Sequence, residues 1–181
     1  WIDHDVVLKI IWFVEVTGCR WKDVPKEMGC SGETARTRLR EWEKAGIWDA
    51  IHQELLSLLR KHGQLDTSTA IIDSTLVRAF GGGEETGPSP VDRRKKGTKF
   101  TLLVDRHGIP LVVQTASANT SDHRQILSTV GQFPQVGGKT GRPKSLPDAL
   151  YADAGYDSEA TRQVLRFLGI EPHIRKQKEA H

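Results

Sequence analysis

The stretch Ala70-Ile71-Ile72-Asp73-Ser74-Thr75 predicts a short buried strand, 69–73, whose end carries a carboxylate. Apolar and β-branched residues are typical of a buried strand. Eighty positions further along, Ala149-Leu150-Tyr151-Ala152-Asp153 repeats the pattern. Two strand-end aspartates lying side by side would offer the oxygen ligands that Mg²⁺ prefers. An aspartate after a strand is also a common turn former or helix cap, so the surrounding sequence has to decide its role.

The composition fits a protein of one average-sized domain or two small ones. The 181 residues carry a formal net charge of +3, and residues 1–62 balance ten basic side chains against ten acidic ones. The excess therefore lies in basic runs at 93–99, 139–144 and 175–178, which suit a phosphate backbone, although solvated charge runs are common.

Cys19 and Cys30 lack metal-site or redox spacing, so we expect reduced thiols in the cytoplasm. The apolar run 6–16 is too short for a membrane span.

Residues 1–62 are predicted to form a helical domain. The apolar spacing predicts a helix over 3–16, a short helix over 21–29, a longer helix over 32–45 capped by Ser31, and a fourth over 47–61. The short helix, tight turn and longer helix have the layout of a DNA-binding helix-turn-helix. A small helical bundle with a solvated basic face explains the same pattern equally well. The fourth helix is expected to turn one apolar face inward, namely Ile47, Ile51, Leu55 and Leu58.

The polar break at 63–68 is the predicted domain boundary, after which strands and helices alternate. Strands are expected at 69–73, 99–104, 109–115, 149–153 and 171–175, and helices at 122–130 and 158–168. Residues 105–108 predict a hairpin turn, whereas 80–90 and 137–147 predict loops, the first of them mobile. The order β, β-β hairpin, α, β, α, β matches the mixed sheet of the ribonuclease H-like fold. In that fold the first and fourth strands are neighbours, which would place Asp73 beside Asp153.

Four motifs resemble the DDE transposases of bacterial insertion sequences, in the broad IS4/IS5-like group. They lie at 72–75, 92–99, 118–123 and 152–157, and the block 21–48 resembles the helical N-terminal domain of the same family. The resemblance implies a ribonuclease H-like catalytic domain at 63–181 behind a helical DNA-binding domain at 1–62. It also implies DNA cleavage and strand transfer that depend on Mg²⁺ or Mn²⁺.

The resemblance assigns catalytic and metal-binding roles to Asp73 and Asp153, as the first and second aspartates of the family's triad. The third carboxylate of that family is a glutamate on a helix that follows the last strand. We expect it to lie beyond His181, because Glu179 precedes the place where such a helix would begin. Asp157 is expected to cap the helix over 158–168 rather than to join the site.

DNA is the expected partner, as terminal inverted repeats and as target, bound by a homodimer that assembles on the nucleoid DNA of a bacterial cytoplasm. The expected DNA contacts come from the helix over 32–45 and from the basic run after residue 92: Thr34, Arg36, Arg40, Arg93, Arg94, Lys95, Lys96 and Lys99. Two other functions stay open, a catalytically inactive DNA-binding fragment and a ribonuclease H-like nuclease. Mg²⁺-dependent DNA cleavage would exclude the first, and a preference for inverted-repeat ends would exclude the second.

Overall fold

The chain forms two compact units, residues 1–54 and 55–181. The structure is a computed structural model that describes residues 2–136 and 145–176. The division falls inside a helix rather than in the polar break at 63–68, and Leu56 of that helix lies in the core of the second unit at 1% exposure. Most of the predicted loop 137–147, the middle basic run and Glu179 lie outside the described residues. Within the described ranges, no helix is long and apolar enough to cross a membrane.

The first unit contains the helices α1 (His4–Thr17) and α2 (Gly32–Lys44). The short helix predicted between them is wrong, because two 3-10 turns, Trp21–Asp23 and Lys26–Met28, take its place. Pro25 explains the interruption: Val24 before it is extended, at φ −61° and ψ 129°. A proline disfavours the helical conformation in the residue that precedes it.

The core of the first unit is the buried stripe of α1 packed against the start of α2. The buried residues are Val7, Ile10, Ile11, Val14, Val24 and Ala35. Ser31 caps α2, since its hydroxyl accepts a hydrogen bond from the Thr34 amide at 3.1 Å. Gly32 is required at this point because a Cβ there would lie 1.9 Å from the Trp21 carbonyl oxygen.

The next helix, α3 (Ile47–Lys61), exposes the face that the sequence predicted to be internal. The four residues of that face are each between 38% and 53% exposed, and they are Ile47, Ile51, Leu55 and Leu58. Two partly buried residues, Trp48 and Leu59, pack on core clusters in place of that face. The helix carries two apolar stripes one position apart, and hydrophobic spacing cannot rank them.

The second unit is built on a six-stranded mixed sheet with two further helices. In chain order these elements are β1 (Thr69–Arg78), β2 (Gly87–Pro88), β3 (Lys96–Asp105), β4 (Pro110–Ser117), α4 (Asp122–Val130), β5 (Ala149–Ala152), α5 (Glu159–Phe167) and β6 (Glu171–Ile174). The five longer strands lie in the order β4-β3-β1-β5-β6, with β5 parallel to β1 and to β6 and the hairpin strands antiparallel. This is the predicted ribonuclease H-like topology.

One face of the sheet forms the core of the second unit. Ile72, Leu103 and Leu150 alternate onto that face and pack with Ile126 of α4 and Leu165 of α5, all at 2% exposure or less. Strand residues on the other face remain exposed or half-buried, among them Ile71, Val113 and Tyr151. The strand period of two thus separates an apolar core face from a face that carries Asp73.

Strand β1 is longer than predicted, so Asp73 lies in its middle rather than at its end. It pairs with Leu102 of β3, and the antiparallel ladder continues to Arg78 opposite Gly97. Strand β1 therefore continues past Asp73 because its hairpin partner β3 is long enough to pair with it. The predicted loop over 80–90 is also partly ordered, because Gly87 and Pro88 pair with β3 and the Glu85 carbonyl accepts a bond from Thr98.

Candidate active site

Asp73 and Asp153 both follow the parallel pairing of β1 with β5. Ile71 of β1 is paired with Tyr151 of β5; Asp73 lies two residues further along β1, and Asp153 lies one residue past the end of β5. Neighbouring strands lie about 4.8 Å apart, so the two chains are adjacent where this pairing ends, at Ile71 and Tyr151. Both aspartates are exposed.

Each of the two carboxylates has one oxygen held by the backbone. The Ser74 amide donates to Asp73 Oδ1 at 2.7 Å, and the Gly155 amide donates to Asp153 Oδ1 at 2.9 Å. Asp153 thereby caps the 3-10 turn Ala154–Tyr156 that follows β5. A cap of this kind fixes the side chain and leaves its second oxygen available, so the capping role and a ligand role are compatible.

Asp122, the first residue of α4, brings a third carboxylate to this region. Its Oδ1 accepts hydrogen bonds from the Ser74 hydroxyl at 2.9 Å and from the Lys99 ammonium at 2.7 Å. A Cβ built on Gly155 would lie 3.2 Å from Asp122 Oδ2 and 3.1 Å from Asp153 Oδ1. Sequence reasoning missed Asp122, because an aspartate that opens a helix is usually there for the helix terminus.

Tyr156 places a buried hydroxyl beside these carboxylates. The residue is 1% exposed, and its hydroxyl makes no hydrogen bond of acceptable geometry to any residue within 2–136 and 145–176. Burial raises the pKa of Tyr156 to about 12; the nearby Ser74 hydroxyl acts in the opposite direction, and the charges of Asp122, Asp73 and Asp153 add to the increase. The hydroxyl is therefore a neutral proton donor over the physiological range.

The donor set suits a hard divalent cation in part. Carboxylate oxygens are preferred ligands of Mg²⁺, which usually keeps several waters and binds one or two protein carboxylates together with substrate phosphates. Within 2–136 and 145–176, no group of three or more His, Cys, Asp or Glu side chains is arranged to hold a metal. Asp73 and Asp153 thus fit an ion that takes its remaining ligands from water and phosphate.

The predicted DNA contacts on α2 differ in their surroundings. Arg40 is exposed, whereas Arg36 lies 3.5 Å from Glu33 in a half-exposed ion pair. Thr34 is bound into the helix cap, since its hydroxyl lies 2.8 Å from that of Ser31. Of the three, the two arginines are therefore better placed to meet a phosphate than the threonine.

The basic run before β3 is exposed at 93–96. Arg93 and Arg94 have φ angles of 46° and 60°, which place both in the left-handed region that side chains other than glycine rarely adopt. The preceding Asp92 forms an ion pair with Arg78 of β1. A sharp turn anchored to the sheet therefore presents the two arginines to solvent.

Lys99 does not belong with that exposed run. Its side chain is 7% exposed, and its ammonium donates to the Thr120 carbonyl at 2.6 Å and to Asp122. The structure therefore does not support Lys99 as a phosphate contact, because its ammonium is buried against a carboxylate of its own chain and is withdrawn from solvent.

Two further aspartates, Asp157 and Asp105, have structural roles. Asp157 does not cap α5, because Ser158 occupies that position and the Asp157 carboxylate pairs with Arg162 at 2.8 Å. Asp105 serves the hairpin turn as predicted, with Oδ1 accepting from the amides of His107 and Ile109 at 2.8 Å each.

The family of this chain follows from comparison with known proteins. Residues 64–181 match the family described as “Transposase DDE domain”, so the chain belongs to the DDE-domain transposases. Residues 1–52 match a family described as “Putative transposase of IS4/5 family”. The predicted resemblance to IS4/IS5-like transposases is confirmed.

Two relatives come from insertion element IS402 of Burkholderia cepacia. The “Putative transposase for insertion sequence element IS402” is 36% identical over 152 residues, which cover 84% of this chain and 64% of that protein. The “Insertion element IS402 uncharacterized 16.2 kDa protein” is 47% identical over 90 residues, which cover 49% of this chain and 61% of that protein. The chain therefore spans less than two thirds of the length of either relative.

The matches to solved structures are distant. A piggyBac transposase synaptic complex with hairpin DNA matches at a TM-score of 0.47 and 14% identity, over 82% of this chain and 31% of that one. The Mos1 transposase paired-end complex matches at a TM-score of 0.36 and 14% identity, over 92% of this chain and 57% of that one.

Proposed function

We propose that the chain acts as a transposase that binds the ends of an insertion sequence and catalyses metal-dependent DNA strand cleavage and strand transfer. Membership of the DDE-domain family supports the class of enzyme. The observation that carries the chemistry is the parallel pairing of Ile71 with Tyr151, after which Asp73 and Asp153 each follow two residues later with exposed side chains.

In this proposal Asp73 and Asp153 hold Mg²⁺ or Mn²⁺. The bound ion would supply an activated water or DNA hydroxyl and would stabilise the leaving oxygen of the phosphodiester. The backbone amides of Ser74 and Gly155 orient the two carboxylates by holding one oxygen of each. The second oxygens are left for the ion, and the exposed position of the pair leaves room for a DNA backbone.

Two basic surfaces are proposed to bind DNA, and both belong to described parts of the chain. The first is formed by Arg36 and Arg40 on α2, and the second is the turn at 93–96. Arginine and lysine at such places neutralise phosphates and release counterions. We propose a bacterial cytoplasmic location on DNA and assembly as a homodimer at paired ends.

Cleavage of DNA that carries the element's own ends tests the catalytic proposal. Parent protein with Mg²⁺ or Mn²⁺ should nick such DNA, and EDTA should abolish nicking. Asp73→Asn and Asp153→Asn should each abolish it as well, whereas Glu171→Gln, an equal charge loss at an exposed position on the same sheet, should leave it intact. Cleavage that survives in both asparagine variants would contradict the assignment.

The salt dependence of DNA binding tests the role of α2. Replacing Arg36 and Arg40 by alanine should reduce the slope of log K against log salt by about 1.8, since each lost phosphate contact contributes roughly 0.9. Lys9→Ala with Arg20→Ala removes the same charge from two exposed ion pairs and serves as the control. If the two double variants show equal slopes of log K against log salt, α2 has a purely structural role.

A further inference from the structure

Asp122 contacts the segments that follow both proposed metal ligands. On the β1 side it accepts the hydroxyl of Ser74, the residue directly after Asp73. On the β5 side it lies against Gly155, whose amide is bound to Asp153. One side chain at the start of α4 therefore lies between two elements that are eighty positions apart in the sequence.

Lys99 holds Asp122 in this place. The lysine side chain is 7% exposed, and its ammonium donates to Asp122 at 2.7 Å and to the Thr120 carbonyl just before α4. A buried ammonium needs a charged or strongly polar partner, and removal of that partner leaves an uncompensated charge. Strand β3 is thus tied to the start of α4 through the carboxylate that also binds Ser74.

Tyr156 shows that the surroundings of Asp122 are polar on the side of both proposed ligands. Its hydroxyl is buried, and no hydrogen-bond partner of acceptable geometry for it lies among the described residues. The Ser74 hydroxyl and the charges of Asp122, Asp73 and Asp153 all act on it.

We propose that Asp122 is a positioning residue that sets the spacing of Asp73 and Asp153, and thereby the affinity of that pair for a divalent cation. The inference rests on the proposed function, since it takes the two aspartates as the metal ligands. Asp122 acts through Ser74 and Gly155 and does not itself bind the ion. Partners of metal ligands of this kind typically change metal affinity 10- to 100-fold when they are removed.

The hydrogen bonds of Asp122 allow a sharp choice of variants. The hydrogen bonds from Ser74 and from Lys99 both end on Oδ1. Asp122→Asn can keep that oxygen as an acceptor for both donors, whereas Asp122→Ala removes it. If Asp122 acts through these bonds, Asp122→Asn should keep the cation affinity that Asp122→Ala loses, although asparagine lacks the charge.

Binding of Mn²⁺ alone to the full chain measures the effect without any catalysis. Free Mn²⁺ is counted by its electron paramagnetic resonance signal during a titration. Asp122→Ala should weaken binding at least tenfold, and Asp122→Asn should stay within about threefold of the parent. Asp105→Asn, which disturbs a buried carboxylate at the far end of β3, should lower stability and leave the Mn²⁺ affinity unchanged. If Asp122→Ala does not fold, Ser74→Ala takes its place and should also weaken binding.

The outcomes separate this inference from the function it rests on. Parent binding that Asp73→Asn abolishes, together with parent-like binding by Asp122→Ala, overturns only the positioning role. Loss in Asp122→Asn as complete as in Asp73→Asn makes Asp122 a ligand and also overturns positioning. A parent chain that binds no Mn²⁺, or one whose binding survives in Asp73→Asn and Asp153→Asn, overturns both.

Discussion

Two positions of the sheet carry aspartates in opposite situations. Asp105, at the end of β3, is fully buried and accepts three backbone amides, from Asp66, His107 and Ile109. Asp73, in the middle of β1, and Asp153, just past β5, are exposed, and the backbone holds one oxygen of each. The same side chain thus serves as a saturated acceptor at one position and as a candidate ligand at the other.

The difference shows that exposure and the number of donors, rather than residue type, separate a structural carboxylate from a candidate ligand. A carboxylate with three amide donors has little capacity left for a cation and would lose those bonds by moving. A carboxylate with one donor can turn its second oxygen to a metal without giving up its anchor. Five substitutions at the two positions and beside them test this contrast.

Asp105→Ala should have the largest effect, a loss of about 3 kcal/mol or more in the free energy of unfolding. The substitution leaves three amide groups of a buried turn without their acceptor, and each such group costs about 1 kcal/mol or more. Urea unfolding measures the loss. The loss should be the same with and without Mg²⁺, and a metal-dependent difference would mean that Asp105 is coupled to the proposed metal ligands.

Asp73→Asn and Asp153→Asn should instead change only the response to metal. Without metal each variant should be at least as stable as the parent, because one of two neighbouring negative charges is removed. At 100 times the dissociation constant, Mg²⁺ or Mn²⁺ should stabilise the parent by about 2.7 kcal/mol and neither variant. Thermal melts across a metal series give this comparison, with Glu171→Gln as the control. Melting curves that shift equally in all four proteins would remove the functional contrast between Asp105 and the two exposed aspartates.

Tyr156→Phe should be neutral or stabilising at pH 7, because the buried hydroxyl has no hydrogen-bond partner of good geometry in the described part of the chain. The pKa of Tyr156 is raised to about 12 by burial, so the folded state keeps a proton that the unfolded chain releases near pH 10. The parent should therefore lose about 2 kcal/mol between pH 10 and 12 that the phenylalanine variant keeps. Denaturant midpoints in that range measure the difference, and parallel curves would show that the hydroxyl is solvated.

Ser68→Ala should have the smallest effect, a few tenths of a kcal/mol near the saturated Asp105. Hydrogen bonds from the Ser68 hydroxyl and amide lower the pKa of Asp66. The folded carboxylate therefore contributes stability above about pH 4 that is lost as the pH falls through its lowered pKa. The variant should lose less stability on acidification than the parent. The free energy of unfolding measured from pH 7 to 3 gives the comparison. If parent and variant lose the same stability over this range, the acid sensitivity comes from other carboxylates.

Local sequence signals predicted much of the second unit. The strand over 149–152, the hairpin turn with Gly108 at φ 84°, and α4 over 122–130 all lie where the apolar spacing and turn residues indicated. The parallel pairing of β1 with β5 agrees with the predicted strand order. These features depend on neighbours in the chain or on a known topology, and both can be read from a sequence.

Long-range contacts decided the rest. Strand β1 continues past Asp73 because β3 supplies hydrogen bonds as far as Arg78. Lys99 looks like one more residue of a basic run, yet the start of α4 buries it against Asp122. Neither the length of a partner strand nor the position of a distant helix is encoded in local spacing.

The sequence by itself determined the family, the order of the strands and the two aspartates proposed as ligands, because each is a matter of motif and spacing. The tertiary structure alone decided which stripe of α3 is exposed, which basic residue is buried and which carboxylates are saturated. Those choices depend on burial and on hydrogen-bond donors contributed from 23 to 48 positions away, as with Lys99 and Ser74 around Asp122. Charge and hydrophobicity fix what a residue can do, and the surrounding fold fixes which of those roles it takes.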